Sequence, residues 1–310
     1  MAGTRTFVIG TRGSRLALRQ TELVLEALQR AHRKAVFQVK TIRTTGDRQG
    51  SVALSEFGGW GVFVKELERA LQSRQIDVAI HSLKDLPTEL SAGLTLAAIT
   101  ARADVRDVLV SRDGGGLESL PAGSLVGTGS PRRTAQLLTL RPDLKVAQLR
   151  GNVDTRLRKV AEGEVDAAVM AAAGLARLGR LERASETFSL EAMLPAVGQG
   201  ALALEARQDD AEVLALVAAV DHRPTRLATA AERAFLRRLG GGCHIAVAAL
   251  GTVEGDRLHL RGLVADTSGQ RILRGEIDGA ADEAAALGER LAEQLLAQGA
   301  ADILAATPVP

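Results

Sequence analysis

Two stretches of the chain repeat one design, and the repeat limits what the chain can fold into. "VIGTRGSRLALRQ" (8–20) and "LVGTGSPRRTAQL" (125–137) each read as an apolar strand, then Gly-Thr, then Gly-Ser, then arginine where a helix opens. A strand that feeds such a turn into a helix leaves backbone N–H groups free at the positive end of the helix dipole, which is a ready anion site. Arg12 and Arg15 stand at the first turn, Arg132 and Arg133 at the second. Neither turn has the Gly-Lys-Ser/Thr of a phosphate loop, and neither matches the dinucleotide glycine fingerprint. One such turn alone is ordinary helix capping. Two in matching places imply two similarly built lobes, with a cleft between them that holds an anionic ligand.

The rest of the pattern agrees. In the first half, strands are expected at 6–12, 37–45, 77–83, 94–100 and 107–112, and helices at 15–31 and 62–74. On the first helix Leu16, Leu23 and Ala27 share a face, with Ala17, Val24 and Leu28 beside it. The alternation restarts with strands at 124–130, 145–150 and 166–171, a helix near 131–140, another from Asn152, and a short one ending at Gly179. Strands alternating with helices predict parallel α/β sheets. From Pro224 the texture changes to a long helix ending in glycines, alternating strands including 257–266, and a helix over 281–298. That is a smaller α+β domain.

The chain has 310 residues, 33 arginines against 6 lysines, and a net charge of only +2. Arginine suits carboxylates because its planar fork donates two parallel hydrogen bonds. "QLRGNVDTRLRK" places Arg150 at a strand end and Arg156 in the first turns of a helix, where cations oppose the dipole. Arg177 falls near the end of a short helix, where the dipole alone accounts for it. "HSLKDLP" gathers His81, Lys84 and Asp85 at the end of a strand, where α/β proteins place their chemistry. A carboxylate beside a lysine stays ionised, so Asp85 can stabilise a cation or exchange protons.

Cys243 is the single cysteine, in "RRLGGGCHIAV" (237–247). A lone thiol excludes an internal disulfide and the paired-cysteine zinc motifs. Two readings of it are open: an inert cysteine after a glycine helix cap, or a thiol, favoured as thiolate by Arg237 and Arg238, that carries a group covalently. No apolar run approaches the roughly 20 residues of a membrane helix, and no apolar stretch of signal-peptide length opens the chain. A cytoplasmic protein is expected. Aromatics at 2% and the near-neutral charge argue against nucleic-acid binding, which uses basic surfaces with stacking rings.

Together these segments resemble the porphobilinogen deaminase family, the hydroxymethylbilane synthases of tetrapyrrole biosynthesis. The resemblance rests on "IGTRGSRLAL", "GVFVKELERAL", "DVAIHSLKDLP", "VGTGSPRR", "LRGNVDTRL", "LPAVGQGALALE", "AERAFLRRLGGGCHIAVAAL" and "LAEQLLAQGAADIL", in that order over nearly the whole chain. It implies two lobes like those of a type II periplasmic binding protein, residues 1–100 with 200–218 and residues 101–199, and a C-terminal α+β domain at 219–310. It implies an enzyme that joins four porphobilinogen molecules head to tail, with loss of ammonia, on a dipyrromethane cofactor bound by a thioether to Cys243. Asp85 would be the catalytic residue. Lys84, Asp47, Ser14, Thr128, Ser130, Arg132, Arg133, Arg150, Arg156 and Gly174 would hold the cofactor; Arg12, Ser14, Arg150, Arg156, Arg177 and Gln199 would hold substrate. Trp60 stands where many members have lysine and would offer stacking instead of charge. A monomer with no membrane or nucleic-acid partner is expected. The alternative is a non-enzymatic anionic solute-binding protein of the same two-lobed architecture, which leaves Cys243 and the third domain unexplained.

Overall fold

The computed structural model describes residues 5–42, 64–241 and 245–305. Asp47, Trp60 and Cys243 lie outside the described residues. The chain opens with β1 (Thr6–Thr11), α1 (Arg15–Ala31) and β2 (Val36–Thr41), then α2 (Lys65–Gln72), β3 (Val78–Ser82) and β4 (Leu94–Ile99). Ser14 starts α1 by accepting the N–H of Ala17 at 3.2 Å, which satisfies one of the helix's free donors. The buried stripe of α1 is Gln20, Thr21, Val24 and Leu28, rotated from the expected Leu16, Leu23 and Ala27. Val24 and Leu28 pack on Phe7, Ile9, Val78 and Ile80 of the sheet, and that contact sets the helix's rotation.

The second half repeats the arrangement with β5 (Asp107–Ser111), β6 (Leu125–Gly127), α3 (Pro131–Leu140), β7 (Lys145–Ala147), α4 (Val153–Ala161), β8 (Ala167–Ala171), α5 (Ala172–Arg177) and β9 (Glu186–Thr187). It is followed by β10 (Leu202–Arg207) and α6 (Ala211–Val217). The two five-stranded sheets have the orders β2-β1-β3-β10-β4 and β7-β6-β8-β5-β9. These are one order used twice, as the repeated strand–turn–helix implies. Neither sheet is wholly parallel: β10 runs antiparallel to β3 and β4, and β5 runs antiparallel to β8 and β9. A parallel neighbour needs a crossover of a dozen or more residues, usually a helix. The chain instead passes from β4 to β5 through 100–106, without a helix, and enters the other sheet reversed. Each sheet is thus completed by a strand that arrives from the other, and two connections cross between them.

Past these sheets, α7 (Arg223–Arg238) leads to an antiparallel meander, β11 (Ala246–Glu254), β12 (Arg257–Ala265) and β13 (Ile272–Ala280), then α8 (Ala284–Ala297) and α9 (Ala300–Ala305). Phe235 of α7 and Leu287, Leu291 and Leu295 of α8 cover one face of this sheet. Ala246, Ala248 and Leu263 on the meander pack with Ala135 of α3 and Leu194. Glu232 of α7, fully buried, ties the parts together. It pairs with Arg102 at 2.5 and 3.1 Å and accepts the N–H groups of Gly198 at 2.7 Å and Gly251 at 2.8 Å. Arg102 and Gly198 lie on the two connections between the large sheets, so one carboxylate fixes both to the third.

Candidate active site

Asp85 sits just past β3, at the end of a single 3₁₀ turn, Leu83–Asp85. The turn is pinned on its inner side. Leu83 and Leu86 are buried, Leu83 donates its N–H to the carbonyl of Ala201 at 3.0 Å, and Leu86 closes the turn on Leu83 at 3.1 Å. The Asp85 side chain is left exposed on this fixed backbone. It lines a cavity with Arg12, Ser14, Gln20, His81 and Ser82, so the first glycine-serine turn and the acid share one space. Gln20 donates to Ser82 Oγ at 2.9 Å across that cavity's floor. His81 has a buried partner: its Nε2 lies 3.0 Å from Glu205 Oε2, and both residues are buried.

The second turn is built like the first. Ser130 caps α3, accepting the N–H of Arg133 at 3.4 Å, and Thr128 Oγ1 accepts the N–H of Ser130 at 3.2 Å. Arg132 and Arg133 are both buried and converge on Asp107, the first residue of β5. Arg133 donates Nε and Nη2 to Asp107 Oδ1 at 3.1 and 2.7 Å, and Arg132 Nη1 pairs with Oδ2 at 2.8 Å. Arg132 Nη1 also donates to the Leu194 carbonyl, while its buried Nε has no partner among the described residues. Burial pushes the Asp107 carboxyl up, and the charges of Arg132 and Arg133 outweigh this and hold it well below the usual carboxylate range. Asp107 was not among the expected site residues. Its only sequence signal is a charge opening an otherwise apolar strand.

Gln199 links this cluster to the acid's turn. Its Nε2 donates to Asp107 Oδ1 at 2.9 Å and to the Val105 carbonyl at 2.7 Å, and its Oε1 accepts from Lys84 Nζ at 3.2 Å. Burial, with Arg133 adding to it, pushes the Lys84 ammonium down to about 8; Asp85 and Asp107 pull the other way. Burial also pushes Arg156 down to about 10, with Arg133 lowering and Asp85 raising it, which places Arg156 within the field of the acid. Arg156 Nε donates to the Gly151 carbonyl at 2.9 Å. Burial pushes Arg177 down to about 10, and its Nη2 donates to the Gly200 carbonyl at 2.6 Å. Arg150 is half-buried with no hydrogen bond or ion pair among the described residues. Gly174 of α5 lies beside α1 and α4: a Cβ there would make ordinary van der Waals contact, at 3.9 Å, with both Leu16 and Val153.

This geometry defines a class: a two-lobed α/β protein that gathers arginine and lysine side chains near one exposed acid, Arg150, Arg156 and Arg177 among them having no carboxylate partner among the described residues, with a third domain packed on the connections between the lobes. Comparison with known proteins narrows it. The family described as porphobilinogen deaminase, dipyrromethane cofactor binding domain, matches residues 7–215, and porphobilinogen deaminase, C-terminal domain, matches residues 226–297. The porphobilinogen deaminase of Desulforudis audaxviator is 53% identical over 301 residues, covering 97% of each chain. That of Pelotomaculum thermopropionicum is 51% identical over 300 residues, covering 97% of this chain and 96% of its own. Among solved structures, the VFT2 domain of Bordetella pertussis BvgS is similar at a TM-score of 0.41 and 18% identity, over 69% of this chain and 86% of that one.

The chain belongs to the porphobilinogen deaminase family. The expectation of a tetrapyrrole-forming transferase with a dipyrromethane cofactor therefore holds over that of a solute-binding protein. Among the described residues no helix is long and apolar enough to cross a membrane.

Proposed function

We propose that this chain condenses four porphobilinogen molecules into 1-hydroxymethylbilane with Asp85 as its central acid and with a dipyrromethane held on Cys243. The observation that carries this reading is the exposed carboxylate of Asp85 on a rigid turn, lining one cavity with Arg12 and Ser14. The donor set suits the cofactor's acetate and propionate groups. Among the described residues Arg132 has a buried Nε without a partner, Arg150 is unpartnered, and Lys84 Nζ donates only to an amide oxygen. When bound, the dipyrromethane supplies the pyrrole carbon to which substrate is joined.

The chain's own residues do the rest. Asp85 Oδ accepts the pyrrole N–H of a substrate placed over the turn. Its negative charge offsets the positive charge that the ring gains as ammonia leaves, and protons are exchanged at the same oxygen. Lys84 and Arg156 stand within the electrostatic reach of the acid. Arg12, Arg150, Arg156 and Arg177 receive carboxylates as bidentate forks, with Ser14, Thr128, Ser130 and Gln199 as polar contacts. Arg132 and Arg133 are oriented by Asp107, which also neutralises part of their charge before any ligand arrives. Asp47 joins Lys84 in holding the cofactor.

The lobes comprise 1–100 with 200–218 and 101–199, and the cofactor-bearing domain 219–310; that β5 joins the sheet of 101–199 and β10 returns to the sheet of 1–100 supports that division. The enzyme works as a cytoplasmic monomer on porphobilinogen, without nucleic acid or membrane. Intact-mass analysis joined to a turnover assay tests the reading. The wild-type chain carries the dipyrromethane mass and Cys243→Ser lacks it. Asp85→Asn keeps the fold and loses most of the rate. A wild-type chain of unmodified mass that still turns over porphobilinogen, or an Asp85→Asn variant of near-normal rate, refutes the assignment.

A further inference from the structure

The loop that carries Asp85 is held from outside its own sheet. Upstream the turn is fixed by β3 and the Leu83–Ala201 hydrogen bond. Downstream, no strand begins until Leu94, and among the described residues the carbonyls of 86–88 accept no backbone hydrogen bond. Those carbonyls are taken by one side chain of α7. Arg233 Nη2 donates to Pro87 at 2.7 Å and to Thr88 at 3.2 Å, and its Nη1 reaches the Leu86 carbonyl at 3.5 Å. No carboxylate forms an ion pair with this guanidinium among the described residues. Burial pushes it down to about 10, with Arg237 adding to the effect and Glu205 opposing it. A half-buried arginine with no counter-ion, its donors directed at three successive carbonyls, acts as a backbone clamp. The end of α7 is seated on the same loop, because a Cβ at Gly241 would lie 3.5 Å from Thr88 Oγ1.

We infer that Arg233 is a positioning residue for Asp85: it clamps the carbonyls of 86–88 to α7 and so fixes the acid's turn from the third domain. This rests on the reading that Asp85 is the acid. Removing the clamp leaves the fold's cores untouched and lets the downstream half of the turn move. Misplacement of about 1 Å costs up to on the order of 100-fold in rate.

The test uses the cofactor-loaded enzyme, with loading checked by intact mass, and compares Arg233→Met and Arg233→Lys with wild type and with Asp85→Asn. Arg233→Met should lower kcat on the order of 10- to 100-fold with KM for porphobilinogen changed less than about twofold, the pattern of an interaction made in the transition state. It should shift the acidic limb of the kcat–pH profile and speed amide exchange in peptides spanning 84–90, with β1 and β12 unchanged. Arg233→Lys, whose ammonium can still reach a carbonyl, should restore most of the rate. A wild-type kcat and pH profile in Arg233→Met overturns the inference, and so does faster exchange throughout the chain with a matching fall in melting temperature. Should Arg233→Met not accumulate folded, Arg233→Gln replaces it with the same expected outcomes. Asp85→Asn separates the two claims. If it turns over normally, the acid assignment fails whatever Arg233 does; if it is inactive while Arg233→Met is normal, only the clamp fails.

Discussion

Asp107→Asn is the perturbation whose cost the structure fixes best. The carboxylate is fully buried and faces two buried guanidiniums, with contacts at 2.7 and 3.1 Å to Arg133, 2.8 Å to Arg132, and a Gln199 amide at 2.9 Å. Asparagine keeps the shape but removes the charge, and its NH₂ would meet donors. Removing one partner of a buried ion pair costs about 3–5 kcal/mol, because the other charge is stranded. At roughly 2–4 °C per kcal/mol for chains of 150–250 residues, the melting temperature should fall by about 10 °C. The carboxyl's folded pKa is depressed, so its stabilisation is fully present above the unfolded value near 3.9 and is lost as pH falls through the folded value. The gap between wild type and variant should thus be constant from pH 5 to 8. A second arm uses acetate: with two uncompensated guanidiniums the variant should be raised in melting temperature more than wild type, by mass action. A variant that melts within about 2 °C of wild type, with the same acetate response, refutes the claim that Asp107 neutralises this pair.

The Lys84 ammonium is charged below about pH 8 and neutral above it, so KM for the anionic substrate should rise through that range, and Lys84→Met should abolish the rise; a KM–pH curve for each enzyme checks this. The same shift has a stability sign: the penalty of a buried ammonium is present below about 8 and fades as pH rises towards 10.5, so thermal melts should show Lys84→Met gaining most over wild type at neutral pH. Gly200→Ala should destabilise by about 1–3 kcal/mol, since Gly200 has φ +90° and its added Cβ would lie 2.6 Å from the Ala103 carbonyl on the opposite connection; chemical denaturation measures it.

The local design was legible in the sequence and the pairing was not. Ser14 and Ser130 were readable as caps, because a glycine-serine turn between an apolar strand and an arginine-led helix has few other conformations. Asp85 was readable as an acid at a strand's end, but not as the last residue of a 3₁₀ turn: Pro87 suggests extended chain there, and the chain becomes extended only at Leu86. The antiparallel entry of β5 and β10 was not readable, since "DVLVS" and "LALEAR" look the same whichever sheet and direction they join. Asp107, Glu205 and Glu232 were missed for a related reason. Each is a carboxylate in an apolar context whose partner lies far along the chain: Asp107 with Arg132 and Arg133, Glu205 with His81, Glu232 with Arg102. Periodicity records which residues share a face of one element, and carries nothing about which charge a buried carboxylate will meet.

That limit bears directly on the arginines, which composition alone treats as equivalent. Pairing divides them. Arg102 is neutralised by Glu232 and Arg207 by Asp77 and Asp210, so their charges serve the scaffold, whereas Arg132 and Arg133 share the single carboxylate of Asp107. Arg150, Arg156 and Arg177 have no carboxylate within ion-pair distance among the described residues, and two of them are pushed down to about 10 by burial. A buried cation without a counter-ion is unfavourable in the free protein, and a carboxylate ligand offsets that desolvation cost. On the proposed function each porphobilinogen, bearing an acetate and a propionate, would bring two carboxylates to these side chains and relieve that cost. On that same proposal, neutralisation of these cations is the force that would draw successive substrates into the cleft.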